Sequence, residues 1–440
     1  MEQENKTAAG SKLNQPQPQN PQQAVEQENN VSSGSQMNNN LNANQDINQD
    51  VDVRNSKGKY IFVILLLILG VGGYIWHLEF GLPISSIKES SSEKIVKFVS
   101  EQKSKHKPAD IVSKFGRDLK KLHIENTDLS GADLKGADLS DSNFKNVHFN
   151  GANFEGAKLN RVICSNCNFM NVNFSGASLD NSNFEFSVFT NAILNKASVE
   201  NSNMYQTNLS KVVFKDGSSS HSNYAESTMH NADFSNTDFN MSSFPGSKID
   251  STNFSTSNLY GANFYKSSIN NSTFDSSYME SANFGYALVN NSSLQKANLV
   301  WSNIDFSKIN NSNLSGANLS SAYALGADFS ESNLTQANLE KGDFKKTKFN
   351  NSIITNANLT QAVFTGSDLT GAKLLGSKLV ATNFSHADLK RANLTAAVLM
   401  NTNMKEAVLD GTVGIRVKNV HKHLKEKKLP KQLGSSKSSK

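Results

Sequence analysis

The 440-residue chain is poor in cysteine, proline and tryptophan, with two, seven and two copies. Two cysteines cannot staple a small fold, which excludes a disulfide-rich secreted module. Strong charge of one sign is also missing from the large central region, because residues 117–413 carry 23 basic and 26 acidic side chains, a net charge of −3. This near-neutrality excludes a strongly charged nucleic-acid surface, so nucleic acid is not an expected partner. Asparagine is abundant instead, at 58 positions.

The N-terminal residues 1–56 are predicted to form a disordered tail rich in asparagine and glutamine. Residues 1–50 contain 11 asparagines and 10 glutamines, with three prolines and almost no aromatic residue. Such a segment cannot bury enough apolar surface to offset the entropy lost on ordering. We expect an inert tail, with a prion-like or partner-binding role as the alternative.

An uncharged apolar run at 60–76 predicts one transmembrane helix within residues 57–82. About 20 apolar residues cross the hydrocarbon core of a bilayer, so residues 60–80 are expected to contact lipid. Lys57 and Lys59 stand directly before the run, closer than any lysine that follows it. The positive-inside rule therefore favours a single-pass membrane protein with a cytoplasmic N-terminus and a translocated C-terminal part.

Residues 83–116 are predicted to form a helical linker that covers the first layer of the following domain. Ser90 and Glu93 have the spacing of a capping box, and a second short helix is expected to start at Pro108. The apolar residues expected on the covered sides are Ile95, Phe98 and Val99 in the first helix and Ile111, Val112 and Phe115 in the second.

A period of five runs through residues 117–413. In steps of five from Leu119 to Leu409, 55 of 59 positions hold Leu, Ile, Phe, Met or Val. The four exceptions are Cys164, Ser219, Tyr224 and Ala324. From position 127 onwards the residue two places earlier is always Ala, Ser, Thr, Val, Cys or Gly, and the residue between is Asn or Asp at 31 of 57 sites. This period fits neither a helix nor a flat strand, so it predicts a small unit that stacks on itself.

A longer period of twenty separates the large residues by type. Positions 119, 139 and so on to 399 hold Leu at 11 of 15 sites, whereas positions 124, 144 and so on to 404 hold Phe at 8 of 15 and Leu at none. Four sides without a stacking relation would not segregate in this way. Side chains twenty residues apart are therefore expected to touch.

The stretches GADLKGADLS at 131–140 and HADLKRANLT at 386–395 resemble the A(D/N)LXX motif of the pentapeptide-repeat family. The resemblance implies an all-β fold, a right-handed quadrilateral β-helix with twenty residues per coil, about fifteen coils here, and the large and small residues pointing inward. At the spacing of sheet strands, about 4.8 Å, this solenoid would be about 70 Å long. The Asn and Asp residues are expected at the corners, where they bond to nearby main chain and tolerate unusual dihedral angles.

Residues with catalytic or metal-binding spacing are few. Cys164 and Cys167 have the spacing of half a zinc site, but both fall on inward positions. We predict that they are buried apolar filler, with a local disulfide as the alternative if the rod lies outside the cytoplasm. The Asn-Xaa-Ser/Thr triplets at Asn208, Asn253, Asn313 and Asn333 follow from the repeat and are weak glycosylation signals. We expect no enzyme activity, no metal and no cofactor.

Residues 414–440 are predicted to contain a cap helix and a basic tail. Val417, Val420 and Leu424 would form the apolar side of a short helix over the last coil. The tail after it is expected to be solvated, and contact with anionic lipid or nucleic acid is the alternative.

The outer positions of the rod hold nine aromatic residues, all on two adjacent sides. They are Phe186, Tyr205, Tyr260, Tyr265, Tyr278, Tyr286, Trp301, Phe306 and Tyr323. The candidate interaction surface, called the aromatic stripe below, consists of Tyr260, Tyr265, Tyr278, Tyr286, Trp301, Phe306, Tyr323, Lys341, Lys345 and Lys346. Exposed aromatics beside basic residues have the composition of a protein-binding hot spot. A sugar, a lipid headgroup or self-association could use the same surface, and aromatics tolerated on a β surface are the simplest alternative.

These patterns predict a non-enzymatic scaffold that is anchored in a membrane and binds a protein partner, not identified by the sequence, through its rigid β-helix. One alternative is a secreted bacterial effector that acts at host membranes. Another is inhibition of a topoisomerase by DNA mimicry, which the family resemblance suggests, although mimicry needs a strongly acidic surface that residues 117–413 lack.

Overall fold

The computed structural model of the chain describes residues 90–415. The predicted tail at 1–56, the predicted membrane span at 57–82, the cap helix of Val417, Val420 and Leu424 and the basic tail after it all lie outside the described residues and stay predictions. Across 90–415, no helix has the length and apolar character needed to cross a membrane.

The first described element is helix α1 (Ser91–Ser104). The Ser90 hydroxyl accepts a hydrogen bond from the backbone N–H of Glu93 at 3.2 Å, and the Glu93 carboxylate accepts one from the backbone N–H of Ser90 at 2.7 Å. This reciprocal arrangement is the predicted capping box. Ile95 and Val99 on α1 are buried in the core that continues into the first coil.

Helix α2 (Ile111–Phe115) starts later than predicted. Pro108 lies outside it, because the next two residues form strand β1 (Ala109–Asp110), whose partner is strand β3 (Ala132–Asp133) of the first coil. Asp110 then caps α2, and its carboxylate accepts a hydrogen bond from the backbone N–H of Ser113 at 2.8 Å. The strand pairing therefore decides where the helix begins.

The rod itself is a ladder of parallel pairs at a constant step of twenty residues, from Asp118 to Val413. The remaining segments long enough to be strands are β2 (His123–Glu125), β4 (Asn143–Lys145), β5 (Ile163–Ser165), β6 (Thr228–His230), β7 (Lys248–Asp250), β8 (Ser268–Asn270) and β9 (Leu288–Asn290). They pair in the orders β2-β4-β5 and β6-β7-β8-β9, and single-residue bridges continue the ladder elsewhere. The predicted all-β solenoid with a twenty-residue repeat is confirmed.

The interior contains the large and small residues of every repeat, as the period of five predicts. Leu299, Leu319 and Leu339 are at most 1% exposed. Phe264 stacks on Phe244 and Phe284, twenty residues away on either side, with ring centroids 4.8 and 5.0 Å apart. Side chains of one column therefore pack directly on each other, and this packing makes one continuous core.

The corners of the coil lie at a different register from the one predicted. Every fifth residue from Lys121 to Gly411 has a left-handed backbone, with φ of 57° and 72° at these two ends, which gives four corners per coil. The motif Asn and Asp residues instead lie in the paired segments between corners. At Asn253, for example, the side-chain oxygen accepts from the Ser255 N–H at 3.0 Å and the amide donates to Asp233 at 3.1 Å. The expected bonds to main chain are present, but the unusual dihedral angles belong to other residues.

Cys164 and Cys167 are buried, at 0% and 1% exposure, but they are not two separate thiols. They form a disulfide, with Cα atoms 5.6 Å apart. A large inward residue and the small inward residue three places later meet across a corner, which brings the two sulfurs together. The favoured prediction of thiol filler is therefore wrong, and the alternative, a local disulfide, is present.

Ser219 and Tyr224 are two other exceptions to the repeat, and the small side chain of one makes room for the large polar side chain of the other. Tyr224 is buried, and its hydroxyl lies 2.5 Å from the Ser219 hydroxyl. Burial raises the pKa of Tyr224, and the Ser219 hydrogen bond opposes that shift. The small side chain at position 219 leaves room for the Tyr224 hydroxyl and supplies its partner, so a polar group is accommodated inside the rod.

Candidate interaction surface

Three aromatic residues of the aromatic stripe occupy left-handed corners. Tyr286, Trp301 and Phe306 have φ of 58°, 57° and 56°, and each is 46–49% exposed. Bulky residues rarely adopt this backbone, which costs an L-residue about 1–2 kcal/mol relative to the right-handed region. Other corners of the rod hold residues such as Gly326 and Asn291. The rod therefore carries large aromatic rings at corners where glycine and asparagine are the commonest residues.

Tyr265, Tyr286 and Phe306 form one group of touching rings, called the corner cluster below. The Tyr265 and Tyr286 rings meet edge to face with centroids 5.7 Å apart, and the Tyr286 and Phe306 rings stack at 5.1 Å and 23°. Phe306 extends over Gly326, where an added Cβ would lie 3.0 Å from the ring. On the Tyr265 side, the Lys266 ammonium stands 5.0 Å from the ring centroid. Glycine at position 326 thus makes room for the ring.

Tyr260 and Tyr278 form a second pair, with ring centroids 6.1 Å apart and planes within 12°. The Tyr278 hydroxyl donates to the Glu280 carboxylate at 2.6 Å. This hydrogen bond, together with partial burial and the negative charge of Glu280, raises the pKa of Tyr278 to about 12. Tyr278 is therefore held in one orientation as a neutral hydrogen-bond donor.

The other two aromatic residues of the stripe stand apart from these groups. Trp301 and Tyr323 are 46% and 39% exposed. Between positions 90 and 415, neither takes part in an aromatic ring pair. Tyr323 lies in a paired segment between Asn303 and Asp343. The structure thus divides the predicted stripe into the corner cluster, a tyrosine pair and two isolated rings.

The positive charge beside the aromatic rings is smaller than the three lysines of the sequence suggest. The Lys341 ammonium lies 3.5 Å from the Glu340 carboxylate, and the Lys345 ammonium lies 2.8 Å from the Asp343 carboxylate. Lys346 belongs to none of the ion pairs of the described chain. Because two of three lysines are paired with acidic neighbours, the surface beside the rings is close to neutral.

Sequence reasoning missed a row of asparagine side chains that lies between the corner column of Trp301 and that of Tyr286 and Phe306. The Asn283 amide donates to Asn263 at 3.2 Å, and its oxygen accepts from the Gly285 N–H at 2.9 Å. The Tyr265 ring lies over Gly285, because a Cβ added at this glycine would be 3.4 Å from the ring. The signal was present, since Asn263, Asn283 and Asn303 are twenty residues apart. These asparagines place hydrogen-bonded amides beside the rings of the aromatic stripe.

Two of the nine outer aromatics form a separate patch. Phe186 and Tyr205 contact each other edge to face at 5.7 Å. Phe186 is 44% exposed and has a φ of 60°, so it is a left-handed corner aromatic like those of the stripe. It provides an internal control with the same local geometry at another place on the rod.

The described residues offer little for other chemistry. Within them no group of three or more His, Cys, Asp or Glu side chains could hold a metal ion. Of the predicted weak glycosylation signals, Asn253 and Asn333 already donate their amides to Asp233 and Asn313, at 3.1 and 3.3 Å. Modification of either amide would remove a side-chain hydrogen bond between adjacent coils.

Comparison with known proteins supports the repeat assignment. The family model described as pentapeptide repeats matches eight copies, over residues 123–161, 167–206, 274–320, 312–351, 343–379 and 377–413. No curated protein matches the chain. The unmatched stretch 207–273 contains Ser219 and Tyr224, yet the parallel pairing continues through it.

Several solved structures are similar to the chain. HetL from Nostoc sp. PCC 7120, a protein involved in heterocyst differentiation regulation, is 18% identical, covers 68% of this chain and 92% of its own, and has a TM-score of 0.17. QnrB1, a plasmid-mediated fluoroquinolone resistance protein, is 18% identical, with 43% and 81% coverage and a TM-score of 0.24. Rfr23 from Cyanothece 51142 is 31% identical, with 22% and 62% coverage and a TM-score of 0.17. Because these TM-scores are low, the assignment rests on the repeat motif.

Proposed function

Because the chain belongs to the pentapeptide-repeat family, we propose that it is a non-enzymatic scaffold, anchored in a membrane through residues 60–80, whose rod presents the aromatic stripe to a protein partner. The apolar run at 60–76 supports the anchor. The rigid ladder of the rod supports the scaffold, because it holds exposed side chains at constant spacing along a surface.

The observation that carries the proposal is the presence of Tyr286, Trp301 and Phe306 at left-handed corners. Each adds backbone strain without filling the core, and strained residues that persist in a structure tend to lie at functional sites. Their exposed fractions, 46–49%, leave large ring surfaces available to a partner. Aromatic residues of this kind dominate the binding energy of protein interfaces.

The orientation of the rings favours a protein over a sugar. Tyr286 and Phe306 turn their faces towards each other, and so do Tyr260 and Tyr278. A sugar stacks on a free ring face, whereas in each of these pairs the partner covers one face of each ring. The remaining ring edges carry partial positive charge and suit carbonyl oxygens of a protein partner.

The charge arrangement gives little support to DNA mimicry. Some acidic side chains along the rod pair with bases, as in the contact of Asp141 with Arg161 at 2.7 Å and that of Asp233 with Lys215 at 2.6 Å. The 23 basic side chains of residues 117–413 nearly balance the 26 acidic ones. A mimic of the phosphate backbone would need uncompensated acidic rows. The secreted-effector alternative stays a prediction from the sequence.

The test is capture of a partner by the full chain from solubilised membranes of its own cells. Tyr286→Asn, Trp301→Asn and Phe306→Asn combined should weaken capture by about tenfold or more, since each removes a candidate anchor residue. Asparagine is already frequent at the corners, so relief of backbone strain should offset the loss of the half-exposed rings, and the thermal unfolding midpoint should change by only a few degrees.

The matched control is Phe186→Asn, which changes an exposed corner aromatic with the same backbone outside the stripe. This variant should capture the partner as the parent chain does. If the triple variant and the parent chain retain the same proteins, the aromatic stripe is not the binding surface.

A further inference from the structure

We infer that the rod folds and acts in an oxidising compartment, outside the cytoplasm, where Cys164 and Cys167 are joined as the chain folds. The inference rests on the proposed function in one respect, the membrane anchor at residues 60–80. It places the partner of the aromatic stripe on the same side of the membrane as the rod.

The two cysteines are placed as a pair rather than as separate core residues. They are the only cysteines in 440 residues, and they occupy the large and the small inward position of the same corner. Their Cα atoms are 5.6 Å apart, within the range of about 4.4–6.8 Å that a disulfide spans. The corner before them holds Leu159 and Val162, ordinary apolar residues of similar burial. Two independent substitutions would have no reason to share one corner.

Both sulfurs are closed off in the folded rod. Cys164 lies in the ladder next to Phe144, and the backbone N–H of Cys167 donates to the Ser187 hydroxyl of the next coil at 3.0 Å. With exposures of 0% and 1%, neither residue can be reached by an oxidant or a reductant. A cytosolic redox sensor needs an accessible thiolate. The disulfide therefore belongs to folding and not to reversible switching.

Formation of the disulfide requires an oxidant, and this requirement indicates the compartment. The two thiols lose two protons and two electrons as the S–S bond forms, and a disulfide-bearing protein oxidant takes the electrons by thiol–disulfide exchange and leaves with two thiols. Such oxidants act on proteins exported from the cytoplasm, where thiols are otherwise kept reduced. The oxidant must act before the coil containing Ser187 closes over the cysteines. Lys57 and Lys59, ahead of the apolar run, favour the same orientation.

The test traps the thiols of the full chain in intact cells. Cells are quenched with acid, the protein is denatured, and a maleimide-linked polymer is added with or without prior reduction. We expect no added mass before reduction and two additions after it. Two additions before reduction would overturn the inference.

A second full-length variant checks that location is the cause. Leu65→Arg, Leu66→Arg and Leu67→Arg together should prevent membrane insertion and keep the rod in the cytoplasm. Its cysteines should then be alkylated at both positions without reduction. If they are still oxidised, the compartment does not explain the bond and the inference fails. Neither readout depends on partner capture. Sedimentation of the parent chain with membranes, and its loss in the arginine variant, checks the anchor separately, so failure of the inference is distinct from failure of the proposed function.

Discussion

Phe254 in the core and Phe306 at a corner stack on their neighbours at nearly the same distance. Phe254 lies between Phe234 and Phe274, with ring centroids 5.1 and 5.0 Å away, and Phe306 lies 5.1 Å from Tyr286. Phe254 is fully buried, whereas Phe306 is 46% exposed.

The physical origin of the two stacks is different. In the core, the twenty-residue repeat places a large side chain above another in every coil, so stacking fills the rod. At the corner, the repeat requires only a left-handed backbone, which asparagine or glycine adopts at lower cost. Ring stacking alone therefore does not identify a functional aromatic. Exposure combined with an unfavourable backbone marks a candidate, and Phe186, which has both outside the aromatic stripe, is the control that tests whether position along the rod matters.

The largest expected difference between the two stacks concerns folding stability. Phe254→Ala should lower the free energy of unfolding by about 3–5 kcal/mol, because it leaves a cavity between rings that cannot close. Phe306→Ala should cost about 1 kcal/mol or less, because the ring is half exposed. Urea unfolding followed by circular dichroism measures both. Equal losses would show that the corner cluster is part of the core.

A smaller effect is expected at the one tyrosine inside the rod. Tyr224→Phe should cost about 1 kcal/mol, because the buried Ser219 hydroxyl loses its close partner and keeps only the bond to the Val199 carbonyl at 3.4 Å. Adding Ser219→Ala should cost less than the sum of the two single changes, since the pair acts as a unit. Additive losses in the same unfolding experiment would argue against the compensation between these residues.

A still smaller effect, and of opposite sign, is expected for the isolated corner ring. Trp301→Asn should raise the free energy of unfolding by up to about 1 kcal/mol, because asparagine tolerates the left-handed backbone better than a bulky residue. Tyr323→Ser is the control, since Tyr323 is exposed but lies in a paired segment with no such strain. A loss of stability in Trp301→Asn would contradict strain at this corner.

The smallest expected effect is spectroscopic and compares an outer with an inner tyrosine. Alkaline titration of absorbance should show a phenol with a pKa of about 12 that disappears in Tyr278→Phe. Because the pKa is raised above the ordinary value of about 10, the contribution of this phenol to stability is complete below pH 10 and is lost as pH rises towards 12. Tyr224 should ionise only when the rod unfolds. A titration unchanged by Tyr278→Phe would contradict the bond to Glu280.

The sequence was sufficient to predict the twenty-residue coil, because side chains buried at a fixed step produce a periodic pattern of residue types. The leucine and phenylalanine columns predicted stacking at twenty residues, which Phe244, Phe264 and Phe284 confirm. The corner register was missed, although a signal existed. Gly131 and Gly316 share the register of the left-handed corners, and glycine at this register is a signal for them.

The candidate site was predictable as a group of residues but not as an arrangement. That the outer rings gather on two sides follows from their positions in the period. Their division into the corner cluster and the Tyr260–Tyr278 pair depends on side-chain directions at each corner. The pairing of Lys345 with Asp343 depends on rotamers in the same way, so the neutrality of the flank was not visible.

By itself, the sequence determined that the chain coils every twenty residues with its large and small side chains inside, because only that period buries all of them. The tertiary structure alone decided which outer rings touch, which charges cancel and that Cys164 meets Cys167. These contacts depend on how side chains leave the corners and reach the adjacent coil. Residue spacing along the chain does not encode those directions.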